Sequence, residues 1–245
     1  MSPFGRMFAD GDRLEVAGAP VRLRVNRRAR RVSLRLDRTR REVVATAPSP
    51  RRLAEAAAFA RERAGWIVER LSELPSATPL SPGMTIEVFG RPVRLEAGQG
   101  RARWVEPADG SAPAITAMGE GEGYARAVIL VLKKHALSVL AERTAHYAAR
   151  LGAPLPKVTV ADAKSRWGSC RPGPRGTAGS IRYSWRLALA PFEVADYVAA
   201  HECAHLKELN HGPRFWAIVR ELVGDERRHR AWLRAEGARL HAFGR

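Results

Sequence analysis

Apolar and polar positions alternate through residues 14 to 47, in Val21-Arg22-Leu23-Arg24-Val25 and again in Val32-Ser33-Leu34-Arg35-Leu36, with Val43-Val44-Ala45-Thr46 after them. A period of two puts every second side chain on one face, so the spacing predicts a small antiparallel sheet whose arginine-bearing face is wet. Pro48-Ser49-Pro50 closes the pattern. Helical spacing follows: Leu53, Ala57, Ala60, Ala64, Ile67 and Leu71 fall three or four apart and predict a helix over Arg51 to Leu74. A Pro, Ser and Gly stretch from Leu74 to Met84 punctuates the chain. Short strands are expected at Thr85 to Phe89 and Pro92 to Leu95, then a loose segment from Glu96 to Gly123. No internal repeat or low-complexity tract stands out.

A long helical pattern begins near Tyr124 and runs to Leu151, which places a domain boundary near residue 121. Beyond it the chain reads as helix, strands, helix, helix. Val158-Thr159-Val160 and Ile181 to Leu187 are the strand candidates, flanking a Gly- and Pro-rich loop from Arg171 to Gly179. Pro191 suits the first turn of a helix, where its missing N–H costs nothing, and that helix is expected from Phe192 to Glu208. The reading is an α+β chain, with an N-terminal module over residues 1–121 and a second domain over residues 122–245.

Composition narrows the class. With 245 residues, 45% hydrophobic and 27% charged, the chain is long enough to bury a real core. The apolar stretches are too short to span a bilayer, and the N-terminus lacks the apolar segment of a secretory signal. The two cysteines, Cys170 and Cys203, make no disulfide framework. Together these favour a cytoplasmic protein with no membrane role. The net charge of +17 points toward an anionic partner such as nucleic acid. Of the 42 basic residues only five are lysines, however, and an arginine-favouring codon bias would produce much of this excess without an anionic partner.

Candidate chemistry lies in the helix over Phe192 to Glu208. His201 and His205 are four apart, so both imidazoles leave one helix face a turn apart and reach a common ion. Glu202, rotated by about 100° from His201, sits beside the ion's open position as a proton acceptor. This is the geometry that makes His-Glu-x-x-His a signature of zinc hydrolases. The surrounding Val194, Tyr197, Val198, Ala199, Ala200, Cys203, Ala204 and Leu206 imply that the helix is buried on most sides, which penalises unpaired histidines and carboxylates. A catalytic zinc usually takes a third protein ligand. His211 offers it if Asn210 adopts a left-handed cap and the turn folds back. Glu221, Asp225, Glu226 and His229 are the alternatives, at positions that fit surface charge better. Gly is absent three residues after His205, so the metzincin pattern does not apply.

The run from His201 through Asn210-His211-Gly212-Pro213-Arg214-Phe215-Trp216 resembles the signature of the YgjP-like metallopeptidase family, related to the SprT-like and WLM proteases. Ser165-Arg166-Trp167-Gly168-Ser169-Cys170, Tyr183 to Pro191 and Asp196-Tyr197-Val198 are similar to that family's other stretches. The likeness covers the C-terminal half closely; the N-terminal strands and Trp66-Ile67 fit more loosely. It implies a zincin-like fold in the second half, Zn2+ held by His201, His205 and His211, Glu202 as general base, and a peptide or protein substrate. A donor for transition-state charge is still needed, and Arg166, Tyr183 and Tyr197 are its candidates. The Arg166 to Cys170 segment reads equally as a packing turn. Two other functions stay open. One is a metal-dependent hydrolase of nucleotide phosphoanhydrides, since zinc and arginine both stabilise phosphate charge. The other is a nucleic-acid-associated factor that processes bound proteins.

Overall fold

The computed structural model describes residues 8–38, 40–75, 78–163 and 166–244. The chain forms two compact units, Met1–Ser76 and Ala77–Arg245.

In the first unit, β1 (Arg13–Val16), β2 (Ala19–Val25), β3 (Ser33–Asp37) and β4 (Glu42–Ala47) form one sheet in the order β1-β2-β4-β3. The expected antiparallel sheet is in fact mixed. The β1-β2 and β3-β4 hairpins are antiparallel, but β4 runs parallel to β2, with Leu23 opposite Ala45. β3 occupies the far edge, so the hairpin it forms with β4 brings the chain back in the direction of β2. The alternation itself holds: Val21, Leu23, Val43, Ala45 and Ala47 point into a core shared with Leu53, Ala56, Ala57, Ala60 and Ile67. The single helix expected to follow is two, α1 (Leu53–Glu62) and α2 (Ala64–Ser72), parted at Arg63.

The second unit begins with β5 (Thr85–Val88), β6 (Arg91–Ala97), β7 (Arg103–Val105) and β8 (Ala114–Ala117), in the order β5-β6-β8-β7. This sheet repeats the first one. Its outer pairs are antiparallel and β6-β8 is parallel, and the row Leu95, Ile115, Trp104 matches the row Leu23, Ala45, Leu34. The first hairpin turns are superposable in kind: Ala17 and Phe89 have φ near 51° and 51°, and Gly18 and Gly90 78° and 78°. Both central residues in the left-handed region make these the turns that match strand twist. The sequence carries the relation. Leu14 to Leu23 and Ile86 to Leu95, 72 residues apart, agree at seven of ten positions. The chain therefore holds an internal repeat that its hydrophobic pattern alone did not reveal.

The second copy feeds a 30-residue helix, α3 (Gly121–Arg150). Its first half lies in one core with Ile86, Val88, Val93, Leu95 and Ile115, through Tyr124, Val128 and Leu132. The boundary expected near residue 121 would cut that core, and the division falls instead at Ser76/Ala77. Beyond α3, β9 (Lys157–Ala161), β10 (Gly168–Arg171) and β11 (Ser180–Ser184) form a sheet in the order β10-β11-β9, with β9 parallel and β10 antiparallel to β11. A buried 3-10 turn, Trp185–Leu189, leads to α4 (Phe192–Ala204). Then come α5 (Pro213–Val223) and α6 (Arg227–Ala242).

Candidate metal centre

α4 is apolar on nearly every side, and Val194, Ala195, Tyr197, Val198, Ala199, Ala200, Cys203 and Ala204 are all buried. Asp196 anchors it to α3: one carboxylate oxygen accepts from Arg143 Nε at 2.6 Å and the other from the Tyr147 hydroxyl at 2.8 Å. His201 and Glu202 occupy the last turn. The helix closes at Ala204, a turn earlier than expected, leaving His205 as its cap with φ of −66°. Asn210 is not left-handed, contrary to expectation. The return is made instead by Asn210 N–H donating to the Glu208 carboxylate at 3.2 Å and Gly212 N–H donating to the Asn210 carbonyl at 2.7 Å. Pro213 then opens α5.

This turn brings His211 against the helix. The ligand nitrogens of His201, His205 and His211 lie within 4.8 Å of one another, and they are the one such trio among the described residues. His201 Nε2 and His211 Nε2 stand 3.1 Å apart. Two imidazole nitrogens at about 2.0–2.1 Å from one tetrahedral zinc would be about 3.3 Å apart, so the spacing fits a shared cation. The remaining ring nitrogens are also suited to it. His205 Nδ1 lies 3.0 Å from the Glu208 carbonyl and His201 Nδ1 3.4 Å from the Tyr197 hydroxyl. A proton held on Nδ1 leaves the Nε2 lone pair for a metal. Burial first, then the neighbouring His205 and His211, pulls His201 down to about 3, and burial also lowers His205. Neutral imidazoles are the ligating form. Phe215, fully buried, floors the trio with its ring 4.5 to 4.8 Å from all three.

Glu202 is 5% exposed. Burial holds its carboxyl up at about 7, while the Arg166 charge acts the other way and favours the carboxylate. The space it occupies is made by Gly168 of β10. A Cβ on Gly168 would stand 2.5 Å from Glu202 Oε1, 2.6 Å from Cγ and 2.7 Å from Cδ. Gly168 is thus needed for room and not for an unusual φ. Nothing in the local sequence marks this, because the partner lies 34 positions downstream.

The other expected site residues separate. Arg166 is exposed and electrostatically coupled to Glu202. Tyr197 sits behind His201, its ring stacked on His229 at 5.5 Å. Tyr183 is fully buried on the core side of β11, its hydroxyl 2.9 Å from Thr144 Oγ1, and does not reach the trio. Glu221, Asp225, Glu226 and His229 do not join the cluster. Glu226 is buried near Arg220, Asp225 pairs with Arg227, and His229 packs on Tyr197. The segment before β10 includes Lys164 and Ser165, which lie outside the described residues.

Three imidazoles thus converge on one point, with a buried carboxyl on the adjacent residue of the same helix, a donor set that could hold a metal ion. The family model described as YgjP-like, metallopeptidase domain, matches residues 30–236, well over half of the chain, and the chain belongs to that family. It is accordingly a metal-dependent hydrolase of the peptidase type. No curated protein and no solved structure gives a match. No helix among the described residues is long and apolar enough to cross a membrane.

Proposed function

We propose that the chain is a cytoplasmic zinc metallopeptidase with a zincin-like second unit, that His201, His205 and His211 hold the zinc, and that Glu202 is the general base. The observation carrying this reading is the convergence of the three ring nitrogens within 4.8 Å, next to a carboxyl seated under Gly168. Bound zinc would supply an electrophile for the scissile carbonyl and lower the pKa of a coordinated water to about 7. Glu202 takes the proton from the attacking water and passes it to the leaving amine. Tyr197 and the Glu208 carbonyl hold His201 and His205 in their ligating orientations. Among the described residues β10 has a strand partner on one side only, which leaves its other edge without a strand. A peptide added there in β fashion would run past Gly168 and Glu202. Arg166, beside that edge, is positioned to stabilise negative charge that develops on the carbonyl oxygen.

The test is metal content together with turnover on a panel of peptides and nucleotides, for the wild type and Glu202→Gln. Stoichiometric zinc, peptide cleavage and a loss of about 100-fold or more in the variant are expected. Purified protein without stoichiometric metal, or a variant with unchanged turnover, would end the proposal. Hydrolysis of nucleotides without peptide cleavage would move the substrate to phosphoanhydrides.

A further inference from the structure

The sheet formed by β9, β10 and β11 has two unlike faces. Val158, Ile181, Tyr183 and Cys170 face inward, with Gly168 over Glu202. On the opposite face the register lines up Lys157, Ser180 and Arg171 in one row and Thr159, Arg182 and Ser169 in the next. These residues, with Arg166, line a cleft of about 480 Å3. Among the described residues it holds four cationic side chains and three hydroxyls, and no carboxylate. None of Lys157, Arg166, Arg171 and Arg182 belongs to an ion pair among the described residues.

Four like charges on so small a face repel one another, and a concave site focuses their field on an incoming anion. The position of the cleft indicates which anion. It begins at β10, the edge strand whose inner side meets Glu202. A chain paired to that edge turns alternate side chains to opposite faces. One set lies on the Glu202 side; the other falls over the cleft. Guanidinium groups pair bidentately with carboxylates. Among the described residues the lining includes no aromatic ring on which a nucleic-acid base would stack.

We propose that this cleft is a specificity subsite for acidic side chains, so that the substrate is an extended peptide with Asp or Glu at alternate positions, held by Arg171 and Arg182, with Lys157 adding to the positive field from the far strand. The proposal rests on the metallopeptidase reading above.

Binding is measured on the full chain carrying Glu202→Gln, by fluorescence anisotropy of labelled peptides with Glu, Gln or Lys at alternate positions. A single-stranded oligonucleotide and a nucleoside triphosphate serve as competitors. The Glu peptide should bind about tenfold or more tighter than the Gln peptide, with an affinity that falls as salt rises. Arg171→Glu with Arg182→Glu should reverse the order in favour of the Lys peptide. A thermal melt checks that this double variant folds, and Arg171→Gln with Arg182→Gln gives the same comparison, as loss of preference, without new charge. Equal affinity for the Glu and Gln peptides, or an unchanged preference in both double variants, overturns the proposal. Displacement by the oligonucleotide or nucleotide at lower concentration than the Glu peptide overturns it in favour of a phosphate ligand. A wild-type digest of a mixed peptide library separates the two layers. Cleavage without acidic preference removes the subsite and leaves the peptidase; no cleavage of any peptide removes both.

Discussion

Gly168→Ala tests the link between β10 and the Glu202 carboxyl, the proposed general base. The added methyl would stand 2.5 to 2.7 Å from three atoms of Glu202, including Cγ and Cδ as well as the terminal oxygen. Carbon contacts are favourable at about 3.5–4.0 Å, so the side chain must swing by about 1 Å and not merely tilt its carboxylate. Glu202 is buried and has little free volume to move into. Misplacing a reacting group by about 1 Å costs on the order of 100-fold in rate. The expected result is a fall of about that size in kcat/KM on a cleaved peptide, with zinc content unchanged because the three atoms nearest the methyl all belong to Glu202. Overpacking should also lower stability by about 1–3 kcal/mol, visible in a melt. The decisive assay is a double-mutant cycle. If Gly168 acts by giving Glu202 room, adding Gly168→Ala to Glu202→Gln should cost little more than Glu202→Gln alone. Full turnover in the single variant, or additive losses in the cycle, would refute the reasoning.

Four other outcomes follow from the same structure. Zinc at about 100 times its Kd should stabilise the folded chain by about 2.7 kcal/mol, and His211→Ala should weaken zinc affinity and remove most of that rise in Tm; unchanged affinity by calorimetry would exclude His211 as a ligand. Asp196→Ala leaves the Arg143 guanidinium partly buried and the Tyr147 hydroxyl without its acceptor, and should cost about 2–3 kcal/mol in denaturant unfolding, where a loss below the noise would show the anchor to be idle. Tyr183→Phe should lower stability by about 1 kcal/mol with kcat within a small factor of wild type, since its hydroxyl bonds Thr144; a drop in kcat of about 100-fold would restore it as a transition-state donor. Ala17 is exposed in a left-handed turn before Gly18, so Ala17→Asn should raise unfolding stability by about 0.5–1 kcal/mol, and a loss would contradict that turn geometry.

The parts of the site that local periodicity governs were legible in the sequence, and the parts made by distant packing were not. His201 and His205 share a face because four residues is about one helical turn, whatever surrounds them. Gly168 could not be assigned, since its reason is the Glu202 side chain of another element. β10 was missed for a related cause: Gly-Ser-Cys-Arg has small side chains inward and polar ones outward, with no apolar alternation to count. The pattern in β2 and β4 fixed which side chains are buried, but burial is indifferent to strand direction, so their parallel pairing was invisible.

The repeat shows why the boundary was misplaced. Each copy is a four-stranded sheet followed by the helix that covers it, and a strand set without its helix leaves one apolar face open. The copies diverge in that helix. After β4 it is short and parted at Arg63; after β8 it runs on for 30 residues. The long helical pattern near Tyr124 therefore looked like the start of a domain, although its first turns are the cover of the preceding sheet. Its far end carries Arg143 and Tyr147, the residues that clamp Asp196 and so the helix bearing His201 and Glu202. On this account the second copy is part of the support of the candidate metal centre. Cutting the chain at residue 121 should then yield a fragment in which α3 exposes Val128 and Leu132, whereas a cut at residue 77 keeps both the sheet and its cover with the site.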